Sequence, residues 1–313
     1  MADAEPNKQG WGLAAWQGAL AGIAVGFAYG LFGFFLLRGA ESPRMGEALF
    51  LILPLVIGTT IAMVTPRPVA AISLIAGTIA LLLCLSTLIA LRTEGILCAI
   101  IAFPLIFVSL AVGVGVGLLL RGLIHSAKRF TTNCIILLAG PALMFGGQRL
   151  EMKTFTKARA QKVTTTMHLS APPEKVWTNI QSMDHLAGRK TMLMYVGLPI
   201  PQRCELKGTA VGSKRTCYFD QGSIEETVLE WNPPYRMRLA VDRTNMPGRH
   251  WLEFDGAEYD LRGDATGTAI TRVTTIRSNL RPAWYWARFE SWGVKSEHRY
   301  LFSDLSNRFP EHE

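Results

Sequence analysis

Apolar residues follow two different rhythms along this chain, and the change comes at Gln148. Before it they form long runs free of Asp, Glu, Lys, Arg and His: Leu13–Leu37, Ala48–Val64, Val69–Leu91, Ile96–Leu120 and Phe130–Gln148. A hydrocarbon layer about 30 Å thick is crossed by roughly 20 apolar residues in helical form. The runs therefore predict about five transmembrane helices, within a membrane domain spanning 1–148. The first run is too long, and its leading tail too weakly basic, for a cleaved secretory leader. The fifth is the least regular, being polar at Thr131–Asn133 and interrupted by Pro141.

Residues 149–162, RLEMKTFTKARAQK, read as a basic juxtamembrane linker. Met152, Phe155 and the five basic side chains suit a segment lying on an anionic leaflet, and equally a solvated connector. From Val163 onward the period falls to two. Val163, Thr165, Met167 and Leu169 alternate with Thr164, Thr166 and His168, the pattern of a half-buried strand. SAPPEKVW then opens a helix, at Ser170 or the proline pair, that turns Val176, Trp177 and Ile180 inward. Strands are expected near Arg203–Leu206, Ser213–Phe219, Ile224–Trp231, Tyr235–Val241, His250–Asp260 and Thr268–Ser278, and a long aromatic helix over Ala283–Arg308.

This order, with APPEKVW after the first strand and GTAVGSKRTCYF followed by GSIEETVLEWNPP in the middle, resembles the START/Bet v 1-like (SRPBCC) superfamily, in particular its polyketide cyclase/dehydrase-like branch. The resemblance covers about Val163 to Phe309 and none of the apolar runs. It implies an α+β helix-grip domain at 163–309, a curved antiparallel sheet wrapped around the last helix with an apolar cavity between them. It also implies ligand binding, lipid or polyketide handling, or catalysis in some members. No catalytic residue is common to the superfamily, so none is carried over.

Alternation assigns an inner face to that sheet. Tyr235, Met237 and Leu239 point one way and Arg236, Arg238 and Asp242 the other. With Pro233 at the corner, Trp231, Leu229 and Glu225 share the inner face. A three-residue turn Asp220–Gln221–Gly222 then adds Phe219, Cys217 and Arg215. Phe289, Trp292 and Gly293 join this candidate ligand-binding set from the last helix. There an aromatic stripe is both core and cavity wall, and Gly293 and Ser296 leave room beneath it. A slip of one residue exchanges Glu225 for Glu226. Arg215 and the inward Glu are expected to pair with each other or with a polar ligand group, because a lone desolvated charge is costly.

Charge refines the membrane reading. The net charge is +8. With five spans, one side carries Lys8, Arg67, Arg121, Lys128 and Arg129. The other carries Arg38, Arg44, Arg92, Arg149, Lys153, Lys157, Arg159 and Lys162. The richer side faces inward, which predicts a plasma (inner) membrane protein with a cytoplasmic C-terminal domain. No dense basic run coincides with a reader motif, so no nucleic-acid partner is expected. The absence of ionisable groups inside the runs argues against an ion or proton pathway. Gly18, Gly22, Gly26 and Gly30 share one helix face, open to close approach by another helix of the same bundle or of a homodimer.

Of five cysteines, Cys84, Cys98 and Cys134 lie in apolar runs and read as buried thiols. Cys204 and Cys217 can meet across a hairpin, although a reducing cytoplasm disfavours a bond. His125, His168, His185, His250, His298 and His312 lack metal-ligand spacing, and no phosphate loop, dinucleotide fingerprint or nucleophile elbow occurs. No metal, cofactor or catalytic residue is therefore expected. His250 and His298 are the best-placed general bases, but an exposed or satisfied histidine is the commoner role. The chain reads first as a membrane-anchored domain that binds a membrane lipid or apolar small molecule at the inner leaflet. Its rivals are a cyclase- or dehydratase-type enzyme acting on a membrane-soluble intermediate, and a structural or partner-binding domain with a filled cavity.

Overall fold

The computed structural model describes residues 8–38, 46–65, 70–91, 93–123, 129–154, 158–246 and 252–310. They divide into two compact units, one reaching Thr156 and the other formed from Lys157 onward with residues 95–97. The first contains α1 (Lys8–Arg38), a π-helical turn (Ala48–Ile52) running into α2 (Leu53–Val64), α3 (Ala70–Ala90), α4 (Ile96–Leu123) and α5 (Arg129–Thr154). Among the described residues, three helical segments are long and apolar enough to cross a membrane, Gln17–Leu37, Ala70–Ala90 and Ile96–Leu123, and Ala48–Val64 is a shorter apolar helix.

The glycine face of α1 is taken up inside the chain. A Cβ at Gly22 would meet Ile61 and Thr65 of the α2 end, one at Gly26 would meet Ile61 and Ala80, and one at Gly30 would press on Cys84 Sγ. That face is packed on α2 and α3 rather than left open for a second copy. A further run of alternating glycines, Gly113, Gly115 and Gly117 of α4, splits by periodicity. Gly113 and Gly117 lie against the backbone of α2, where a Cβ would come within 2.1 Å of Leu55 O and 2.7 Å of Thr59 O, while Gly115 faces open space. Polar groups tie the helix ends. Gln148 Nε2 donates to Leu37 O at 2.8 Å, and Glu151 accepts from the amides of Glu47 and Ala48 at 2.7 and 3.2 Å. An acidic group there complements the exposed amides of a helix start. At the opposite end of α2, Arg121 donates to the carbonyl of Thr65.

The second unit is a seven-stranded antiparallel sheet with three helices. Its strands are β1 (Arg159–Leu169), β2 (Pro201–Lys207), β3 (Lys214–Phe219), β4 (Gly222–Asn232), β5 (Arg236–Thr244), β6 (Leu252–Asp264) and β7 (Gly267–Ser278), in the spatial order β1-β7-β6-β5-β4-β3-β2. Between β1 and β2 come α6 (Pro173–Gln181) and the short α7 (Met192–Tyr195), and α8 (Ala283–Arg308) closes the chain. Val176, Trp177 and Ile180 of α6 are buried, as their spacing requires. The basic segment 149–162 is divided between two elements, because α5 runs on to Thr154 and β1 begins at Arg159. His250 lies outside the described residues.

Two departures from the expected pairing between Phe219 and Trp231 decide which side chains of β3 and β4 face inward, and their effects cancel at β3. Phe219 pairs with Gly222, so the β3–β4 turn has two residues rather than three, and Arg215 stands opposite Glu226. Between Val228 and Glu230 the β4–β5 ladder carries a bulge at Leu229, where an extra residue reverses the phase of everything beyond it. Counting back from Trp231 without the bulge places Glu225 inside. With it, Glu226 and Val228 are buried and Glu225 is exposed. The shorter turn then restores the phase, so Arg215 and Cys217 remain inside. Cys204 and Cys217, directly opposite on β2 and β3, are joined in a disulfide.

Candidate ligand site

The inner face of the sheet is built in cross-strand rows. Trp231, Met237, Tyr259, Arg272 and Thr165 are successive neighbours across β4, β5, β6, β7 and β1. Val228, Leu239, Ala257, Thr274 and Val163 form the adjacent row, and all five are buried. Among these mostly apolar side chains lie one buried and one partly buried ion pair. Arg215 Nη1 donates to Glu226 Oε2 at 3.1 Å and its Nη2 to Ile180 O at 3.3 Å. Arg272 Nη1 donates to Glu297 Oε1 of α8 at 2.9 Å. Both guanidinium groups stand over the Tyr259 ring, at 5.8 Å for Arg215 and 5.3 Å for Arg272. Cation–π attraction of this kind strengthens where water is excluded.

His298 anchors α8 to the same face. Its Nδ1 meets Thr165 Oγ1 at 2.9 Å and its Nε2 meets Thr274 Oγ1 at 2.7 Å. Burial, reinforced by the nearby Arg272 charge, pushes its pKa down to about 2, so the ring is neutral. Burial also raises the Glu297 carboxyl, against the pull of Arg272. Among the described residues, no group of three His, Cys, Asp or Glu side chains is placed to hold a metal ion.

Against this frame the twelve candidate residues sort cleanly. Arg215, Cys217, Met237 and Leu239 are buried on the inner face, and Phe219 and Trp231 pack against the core from its margin. Glu225, Leu229 and Tyr235 lie outside. Glu225 and Leu229 (46% exposed) are displaced by the bulge, and Tyr235 (53% exposed) belongs to the turn before β5 begins. On α8, Phe289 is half-buried and Trp292 is 37% exposed, with their rings 6.5 Å apart. Gly293 is half-buried, and a Cβ there would meet only Leu198 Cδ1, at 3.8 Å.

Alternation traced from β5 alone misses Glu226, Tyr259, Arg272 and Glu297. The signal for one of them was present. Thr268, Ile270, Arg272, Thr274 and Ile276 alternate along β7 and all are buried, so Arg272 occupies a core phase.

A seven-stranded sheet holding a long C-terminal helix, with helices after the first strand, is the helix-grip arrangement. Residues 160–306 match the family described as polyketide cyclase / dehydrase and lipid transport. The C-terminal domain is of the polyketide cyclase/dehydrase-like SRPBCC type. Solved structures similar to this SRPBCC domain include a protein from Nitrosospira multiformis (17% identity, 48% of this chain and 97% of that one, TM-score 0.33). A protein from Mesorhizobium loti is similar at 18% identity, over 47% of this chain and 98% of that one, with a TM-score of 0.31. The Aha1 dimer from Colwellia psychrerythraea is similar at 16% identity, over 49% and 99%, with a TM-score of 0.29. No curated protein matches the chain.

Proposed function

We propose that the protein is a membrane-anchored binder of a lipid-like ligand, held by the SRPBCC domain between its curved sheet and α8. The observation that carries this reading is the room at Gly293 of α8, where an added Cβ would meet only Leu198 Cδ1, at 3.8 Å. The lipid-transport element in the family's description supports the same reading. A catalytic reading has less behind it, because His298 commits both ring nitrogens to threonines in a dry environment.

The anchoring reading comprises five spans, with the ligand drawn from the adjacent leaflet of the inner membrane. The ties of Gln148 and Glu151 to the Leu37 and Glu47 end, with Arg121 at the far end of α2, support an up-and-down order of five helices. The full-length protein, released from nanodiscs into a native mass spectrometer, tests the binding reading. A co-released apolar small molecule or lipid is expected. Folded protein that emerges empty from repeated preparations overturns the reading.

A further inference from the structure

The two arginines of the cup are incompletely used. A guanidinium presents five N–H donors in a fixed fork. Arg215 spends one nitrogen on Glu226 and another on Ile180 O, and Arg272 spends one on Glu297. The Nε atoms of both are buried and have no hydrogen-bond partner. Both residues are more than nine-tenths buried, and both stand over one aromatic ring. Two charged groups are thus held among mostly apolar side chains with donor capacity left over.

We propose that Arg215 and Arg272 read a single carboxylate on an otherwise apolar ligand, such as a long-chain acid. This rests on the ligand-binding reading above and adds the chemistry of the ligand's polar end. A carboxylate suits the fork because its two oxygens accept two parallel N–H bonds from one guanidinium. A cation is repelled by both arginines. A phosphate dianion is disfavoured because Glu226 and Glu297 already supply negative charge beside the same arginines. A hydroxyl offers one uncharged oxygen where two charged edges are available.

The test uses the full-length protein in nanodiscs, with palmitate and 1-hexadecanol as probes of equal chain length, and 1-hexadecyl phosphate as a third. Palmitate is expected to bind about tenfold or more tighter than the alcohol, a difference of the size that charge-assisted hydrogen bonds provide. The double variants Arg272→Leu with Glu297→Leu, and Arg215→Leu with Glu226→Leu, each remove a pair together and leave no orphaned charge. Each is expected to shrink the preference while hexadecanol still binds. Equal affinity of the native protein for acid and alcohol overturns the head-group assignment and leaves the apolar-ligand reading standing. Tighter binding of the phosphate overturns the carboxylate in favour of a phosphorylated lipid. Failure of all three probes overturns both.

Discussion

Arg215 and Glu226 are direct cross-strand partners on β3 and β4, joined at 3.1 Å with the residues only 2% and 6% exposed. A pair sealed this well does not have to stabilise the fold, since apolar replacements of similar volume often do as well. Breaking it from one side is different, because the remaining charge is left in the dry interior. Glu226→Ala is therefore expected to destabilise the domain by about 3–5 kcal/mol, and Arg215→Leu with Glu226→Leu to recover most of that. Glu225→Ala, one residue away on the solvent side, should leave the melting temperature of the full-length protein nearly unchanged. Thermal unfolding of the three variants decides the register directly, and a larger loss from Glu225→Ala contradicts it.

The disulfide between Cys204 and Cys217 ties the edge strand β2 to β3 across a sequence separation of 13. Closing a loop of that size contributes about 3 kcal/mol in chain-entropy terms. Reductant should accordingly lower the melting temperature, and alkylation should modify both cysteines only after reduction. The bond also bears on orientation. A persistent disulfide belongs in an oxidising compartment, whereas Lys and Arg counting directs this domain to the cytoplasm. Fusing alkaline phosphatase or a cytoplasmic fluorescent reporter to the C-terminus separates the two. Phosphatase activity favours the disulfide, and fluorescence favours a cytoplasmic domain with a thiol pair.

Gly293 and Gly113 make opposite predictions for the same change. Gly293 has room for a Cβ, so Gly293→Leu should occupy the proposed ligand space and abolish ligand binding while the domain stays folded. Unfolding instead would make the α8 stripe simple core. Gly113 lies against the α2 backbone, so Gly113→Leu must push two helices apart and should lower stability in detergent. Gly115→Leu, directed into open space, should not.

His298 gives a pH dependence whose sign follows from its environment. Its pKa falls from an ordinary 6.5 to about 2 on folding. Between those values the unfolded chain holds a proton that the folded one does not. Its contribution is therefore fully present above pH 6.5 and is lost as pH falls, at up to about 1.4 kcal/mol per unit. Glu297, raised by burial, has the opposite sign above its ordinary 4.5. The informative quantity is therefore the difference between native protein and His298→Gln, measured by unfolding from pH 7 down to 5. A difference that does not change over that range rules out a buried neutral histidine.

What alternation settled on its own was considerable. The period of two from Val163 onward, the proline-opened α6 and the extent of α8 each depend on local spacing, and the inner phase of Met237 and Leu239 follows from it. The charge-free runs likewise mark where apolar helices form, because residues without charge tolerate a lipid or a protein interior equally. Spacing could not reveal the bulge at Leu229, since a single extra residue leaves the composition of β4 unchanged and is fixed only by pairing with β5. The same holds for Arg272 with Glu297, 25 residues apart, and for Cys204 with Cys217. Pattern selects which face a side chain joins within an unbroken strand. Which charge finds which partner, and whether Glu225 or Glu226 enters the cup, is decided by packing between elements, where burial makes one pairing far more favourable than its neighbour.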